Sequence, residues 1–219
     1  MKIKWLGHSC FLITAESGAT LITDPYNTEA YPGTLLYDPI DEIADVVTTS
    51  HGHSDHGDFE AVGGSPEIVR APGPREAAGF RIRGVPAFHD TQAGAMRGDV
   101  VMFVISADGL TVCHMGDIGE DELTPEQVRE IGAVDVLLIP VGGNFTIDAA
   151  TATRIWQQLS PPLAIPMHFH NDKCLFKIEG VEPFLAGKPD VERAEVSEIG
   201  LTKENLPARP KVIVLRHAR

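Results

Sequence analysis

Residues 48–58 read TTSHGHSDHGD, from Thr48 to Asp58, and place three histidines and two aspartates within the eight positions His51 to Asp58. An apolar β-type run, Val46-Val47, leads straight into them. Side chains alternate faces along an extended chain, so His51 and His53 point the same way and can grip one ion. Asp55 and His56 lie just beyond, where a turn into a helix aims them at a second ion. Imidazole combined with carboxylate suits zinc, with manganese and iron as further candidates. A solvated polar loop uses the same residue types, so the rest of the chain has to decide.

The same grammar recurs downstream, a His or Asp just past a β run. His89 follows RGVPAF, Asp117 follows LTVCHMG and His168 follows PLAIPM. Each alone has an ordinary reading, as a polar strand end, a turn-former or a hydrogen-bonded histidine. Strand ends in an α/β sheet gather at one edge, however, and there distant residues can converge.

Strands are expected at Lys2–Leu6, Phe11–Ala15, Thr20–Thr23, Val46–Ser50, Glu67–Ala71, Arg81–Phe88, Val100–Ala107, Leu110–His114, Val134–Pro140, Leu163–Met167 and Lys211–Leu215. Asp108-Gly109 marks a hairpin. Thr124, Pro125 and Gln127 mark a capped helix that stops near Gly132. A longer helix is expected over Asp148–Leu159 with Trp156 on its core face, and a short one around Val181–Ala186. Tyr26–Ile40 has no clear period and reads as a loop long enough to line a site.

The chain has 219 residues and no stretch that reads as a linker, so one domain over 1–219 is expected. With 18 Lys+Arg against 31 Asp+Glu, its formal charge is −13, and no basic patch offers itself to nucleic acid. Cys10, Cys113 and Cys174 are an odd, widely spaced set that fits a reducing compartment. Gly7, His8 and Ser9 interrupt the N-terminus before a secretory apolar segment forms, and no run reaches transmembrane length. The expectation is a cytoplasmic protein with a small-molecule substrate and no membrane or nucleic-acid partner. A homo-oligomer stays open.

SHGHSDHGD, preceded by LITDP and followed in order by FHD, HMGD and PMHFH, resembles the metallo-β-lactamase superfamily over nearly the whole chain. WLGHSCFLI and IPVGGNFTIDAA are similar to its small metal-dependent hydrolases near the ascorbate-6-phosphate lactonases. The resemblance implies an α/β fold, an αββα four-layer sandwich of two mixed β-sheets flanked by helices, with a binuclear site at one edge. By motif, His51, His53 and His89 would hold one metal and Asp55, His56 and His168 the other, with Asp117 bridging. Asp24 would stand behind them, accepting a hydrogen bond from a ligand histidine and fixing its tautomer. Two departures narrow the chemistry. VPAFHDTQAG replaces the His-Thr-x-Gly run of glyoxalase-like and penicillin-cleaving members, and position 53 is His where di-iron redox relatives usually carry a carboxylate.

The function expected is therefore a hydrolase with two divalent metals, zinc first and manganese or iron next. Two such ions, typically ~3.5–4 Å apart, share a water and lower its pKa, and the hydroxide attacks an ester or lactone, including a phosphorylated one. A phosphodiesterase on the same site, an iron-dependent redox enzyme and a metal-stabilised binding module are the alternatives. Asp55 and His8 are candidate catalytic groups, with His170 competing with His8 as proton donor. Arg97 and Lys173, in loops after His89 and His168, are candidates to hold an anionic group.

Overall fold

The computed structural model describes residues 1–219 and consists of two β-sheets packed face to face with three helices. In the six-stranded sheet, Lys2–Gly7 (β1), Cys10–Thr14 (β2) and Thr20–Thr23 (β3) form an antiparallel meander. Val46–Thr48 (β4) and Glu67–Val69 (β5) extend it in parallel, and Glu198–Gly200 (β13) closes its other edge against β1.

The eight-stranded sheet begins as an antiparallel run of Gly73–Ala77 (β6), Phe80–Phe88 (β7), Asp99–Ala107 (β8) and Leu110–His114 (β9). Val136–Pro140 (β10), Leu163–Met167 (β11), Lys211–Val214 (β14) and Val191–Arg193 (β12) then add in parallel.

Strand direction explains where chemistry collects. β1, β3 and β4 all run the same way in one sheet, and β7, β9 and β11 do so in the other. The residues just past their C-terminal ends are His8, Asp24, the cluster from His51, His89, Asp117 and His168. Two sheets packed with these ends at one edge turn six sequence-distant segments into one site.

Period-two alternation sorts the apolar residues. Leu21 and Val46 join the core between the sheets, which also holds Trp5, Phe11, Phe103 and Leu138. Their neighbours Ile22 and Val47 face the other way, into a second cluster with Tyr26, Leu35, Tyr37 and Ile40. The segment expected as a site-lining loop is thus largely the cover of the six-stranded sheet's outer face. Helices Pro125–Ile131 (α1) and Ala149–Leu159 (α2) contact β7 and β10, and Glu182–Leu185 (α3) contacts α2. α1 carries the reciprocal Thr124–Gln127 capping box, and Asp148 caps α2 by accepting from Thr151 N at 2.8 Å. No helix is long and apolar enough to cross a membrane.

Several expectations shift. β4 ends at Thr48, not Ser50, and β5 at Val69, not Ala71, because the chain turns away for the metal-site loop and for β6. No α-helix follows His56; a 3-10 turn at Phe59–Ala61 does. Trp156 is only half-buried: Thr151, Ala152 and Ile155 form the buried face of α2, and the Lys188 ammonium sits 5.0 Å over the Trp156 ring. The fully buried tryptophan is Trp5, 2% exposed.

Candidate metal centre

Three residues of the site adopt backbone conformations that side chains rarely take. His8, Asp24 and His168 have φ of 51°, 40° and 50°. Each such residue costs on the order of 1–3 kcal/mol and persists only where the surroundings enforce it. Here they do. The His8 carbonyl accepts from Trp5 Nε1 at 3.0 Å and from His168 N at 3.3 Å, and Asp24 N donates to Thr48 O at 2.8 Å. Gly7, at φ 143°, admits the Tyr37 ring where a Cβ would lie 2.6 Å from it.

Three groups bring their potential ligand atoms within 4.8 Å of one another: His51, His53 and His89; His8, Asp55, His56 and His168; and Asp24, His51 and His56, which links the first two. His51 Nε2 is 2.9 Å from His53 Nδ1. Asp117 joins the groups. Its Oδ2 lies 3.2 Å from His56 Nε2, 3.4 Å from His168 Nε2 and 3.5 Å from His89 Nε2. Asp24 stands behind, its Oδ2 3.0 Å from His56 Nδ1, while Ser50 donates to it through N at 2.7 Å and Oγ at 2.5 Å. With Nδ1–H donated to Asp24, His56 turns Nε2 toward Asp55 and Asp117.

The donor set fits divalent cations. Of the nine buried side-chain N and O atoms without a hydrogen-bond partner, four are here: His56 Nε2, His89 Nδ1, Asp117 Oδ1 and His168 Nδ1. Buried polar atoms are rarely left unpaired, and such a concentration among imidazoles and carboxylates marks a metal site. The electrostatics agree. Burial opposes charge on Asp117, but His168 and His56 outweigh it and hold its pKa well below the carboxylate range. Burial likewise opposes charge on His56, yet Asp117 and Asp55 raise its pKa well above 6.5, so the carboxylates hold a proton there that a bound cation would displace. Burial and the neighbouring His56 push His51 down to about 3, leaving a neutral imidazole of the kind a metal binds.

His8 is 1% exposed, its Nε2 3.2 Å from Asp55 Oδ2 and its Nδ1 3.8 Å from Cys174 Sγ. Burial and His168 lower its pKa to about 4. His170 is not among the converging ligand atoms; it is exposed, with Nδ1 3.2 Å from the Phe176 carbonyl. Lys173 points to Asp38, 3.8 Å away, whereas the Arg97 guanidinium lies over Phe145.

The sequence does not single out three contributors, although Tyr31 lies in the Tyr26–Ile40 loop expected to line a site and Asp90 in the FHD motif. His114, buried within β9, donates through Nε2 to Ser9 O at 2.8 Å and accepts from Gly116 N at 3.2 Å through Nδ1. Tyr31 places its hydroxyl 3.4 Å from Asp55 Oδ1, and burial and Asp55 raise its pKa, so it donates. Asp90 accepts backbone N–H groups of Gln92, Gly94, Met96 and Arg97 at 2.7–3.1 Å, pinning the loop after His89.

Comparison with known proteins places this geometry. Residues 2–168 match the family described as the beta-lactamase superfamily domain. A metal-dependent hydrolase of Carboxydothermus hydrogenoformans is 32% identical over 196 residues, covering 78% of this chain and 85% of that protein. One of Archaeoglobus fulgidus is 27% identical with 96% of each chain covered. A Thermotoga maritima structure, described as a Zn-dependent hydrolase of the metallo-beta-lactamase superfamily, superposes with a TM-score of 0.80 at 37% identity, covering 98% of this chain and 97% of its own.

Proposed function

The chain belongs to the metallo-β-lactamase superfamily as a metal-dependent hydrolase, and from that premise we propose that it cleaves a small-molecule carboxylic ester or lactone at a centre of two divalent ions. The observation that carries this reading is Asp117 Oδ2, within 3.5 Å of three imidazole nitrogens drawn from both ligand groups. His51, His53 and His89 would hold one ion, Asp55, His56 and His168 the other, and Asp117 would touch both. Bound there, two such ions supply a water of lowered pKa and Lewis-acid polarisation of the substrate carbonyl.

The surrounding residues prepare that chemistry. Asp24 holds the Nδ1 proton of His56 and so presents Nε2 to the site. His8, neutral at pH 7, donates Nε2–H to Asp55, while Tyr31 donates to the other carboxylate oxygen. Between them they fix the rotation of Asp55. With Nε2–H committed to Asp55, His8 is read as positioning a ligand, and His170, exposed two residues past His168, is the competing proton donor.

Protein loaded separately with zinc, manganese and iron, screened against lactones, carboxylic esters and phosphodiesters, tests the reading. Ester or lactone turnover with two metal equivalents per chain is expected. Asp117→Asn should lower metal content and turnover while the cooperative thermal transition survives. A single equivalent per chain would remove the binuclear reading, and turnover of phosphodiesters alone would replace acyl by phosphoryl chemistry.

A further inference from the structure

A continuous aromatic wall stands beside the metal centre. The Phe176 ring lies 5.2 Å from Tyr31 and 5.8 Å from Phe145, edge-on at 73° and 75°, and 5.8 Å from the His8 imidazole. All three aromatic rings are half-buried, so each keeps part of its surface open. The inner end of the wall meets the centre through Tyr31 and Asp55. At the outer end the Arg97 guanidinium sits 5.6 Å over the Phe145 ring.

Arg97 differs from the other candidate cations. Its backbone N–H is bound to Asp90 at 2.8 Å, which fixes the loop, and the residue is half-buried, but its guanidinium enters no ion pair. Lys173 is committed to Asp38. A groove of about 510 Å³ along β6–β8 gathers Arg75, Arg81, Arg83 and Arg129; three of these are engaged with Glu67, the Glu130 carbonyl and Glu126, and Arg81 lies at the start of β7, the opposite end of that strand from His89. In a chain of charge −13, a half-buried arginine with no ion pair beside the site is placed to receive an anion from elsewhere. Ligand sites combine mostly apolar walls with a few placed polar groups, and an aromatic wall ending in a guanidinium is that combination.

We propose that Tyr31, Phe176, Phe145 and Arg97 form the substrate subsite of this centre, and that the substrate is an ester or lactone whose apolar or aromatic body ends in a carboxylate or phosphate. The reacting carbonyl lies at the Asp55 end, the body along Phe176 and Phe145, and the anion on Arg97. The inference rests on the hydrolytic reading above for the identity of the bond cleaved, but not for the binding itself.

Calorimetric binding of phenylacetate, phenyl phosphate and neutral benzyl alcohol to the metal-loaded protein tests it, alongside hydrolysis of paired anionic and neutral aryl esters. Arg97→Gln should weaken the preferred anion roughly tenfold or more, the scale of one charge-assisted contact, and leave benzyl alcohol unchanged. Arg97→Lys should restore part of the loss, and Phe176→Leu should weaken all three probes. The better-bound of phenylacetate and phenyl phosphate identifies the terminal group. In turnover, Arg97→Gln should raise KM for the anionic ester alone. Anion binding equal in wild type and Arg97→Gln overturns the subsite, as does equal loss of anionic and neutral probes. Hydrolysis of esters indifferent to Arg97→Gln and Phe176→Leu also sinks it while sparing the hydrolytic reading. Arg97-dependent anion binding without any ester turnover would do the reverse.

Discussion

The buried imidazole of His114 donates through Nε2 to the carbonyl oxygen of Ser9 at 2.8 Å, joining the eight-stranded sheet to the turn that carries His8. The donation leaves Nδ1 bare to accept from Gly116 N, one residue before Asp117. One neutral ring thereby sets the spacing between the His8 turn and the Asp117 loop. His114→Phe keeps the volume but strands the buried Gly116 N–H and leaves the Ser9 carbonyl only its bond from Thr23 Oγ1 at 3.2 Å. A loss of about 1–3 kcal/mol is expected, with reduced metal affinity. Equilibrium denaturation and metal titration check this, and unchanged metal affinity in a folded variant would confine His114 to the core.

His8 and Asp55 provide a second test. His8→Gln keeps an N–H donor for Asp55, whereas His8→Ala removes it. The alanine variant should lose roughly tenfold or more in metal affinity, in the range expected of groups that orient ligands, and the glutamine variant should recover most of it. If both retain full metal content but lose kcat equally, His8 acts on the substrate and not on Asp55.

The two tryptophans should separate cleanly. Trp5 packs between Phe11 and Phe169, with ring centroids at 6.4 Å and 5.4 Å, and its Nε1 holds the His8 carbonyl. Trp5→Ala is expected to lower stability by about 3–5 kcal/mol. For half-buried Trp156, roughly 1 kcal/mol is expected. Urea denaturation of both variants decides the order, and a larger loss at Trp156 would contradict the packing described.

Acid should act at Glu42. Burial opposes its charge, but Arg219 and Lys4, the latter at 3.0 Å, prevail and hold its pKa below the ordinary value. A carboxylate lowered on folding stabilises fully above its unfolded pKa, and the contribution is lost as pH falls through the folded pKa. The difference in Tm between wild type and Glu42→Gln should therefore be constant above about pH 5 and shrink on further acidification. A gap that widens below pH 5 would show that the pair does not lower the Glu42 pKa.

Most strands, the Thr124 cap and both main helices follow from local rules, because alternation, turn chemistry and capping hydrogen bonds act over a few residues. The same holds for the histidines and aspartates themselves, since each announces itself just past a β run. The missed strands have no such signal. β12 is exposed throughout, β13 is three residues long and mostly exposed, and β6 is mostly exposed with Gly73-Pro74 at its start, so partners in the sheet define them more than their own composition does.

The site shows the same division. Alternation puts His51 and His53 together on paper, yet in the fold they meet on a loop after β4 has ended. That Asp117 faces three imidazoles, that His8 presses on Asp55, and that Tyr31, Phe176 and Phe145 line up are consequences of two sheets packing face to face with these strand ends at one edge. These partners lie 24 to 145 positions apart in pairs such as Tyr31–Asp55 and Tyr31–Phe176. Residue type and local period can nominate such groups one at a time. Their distances arise from strand order and sheet packing, which depend on contacts distributed over the whole chain.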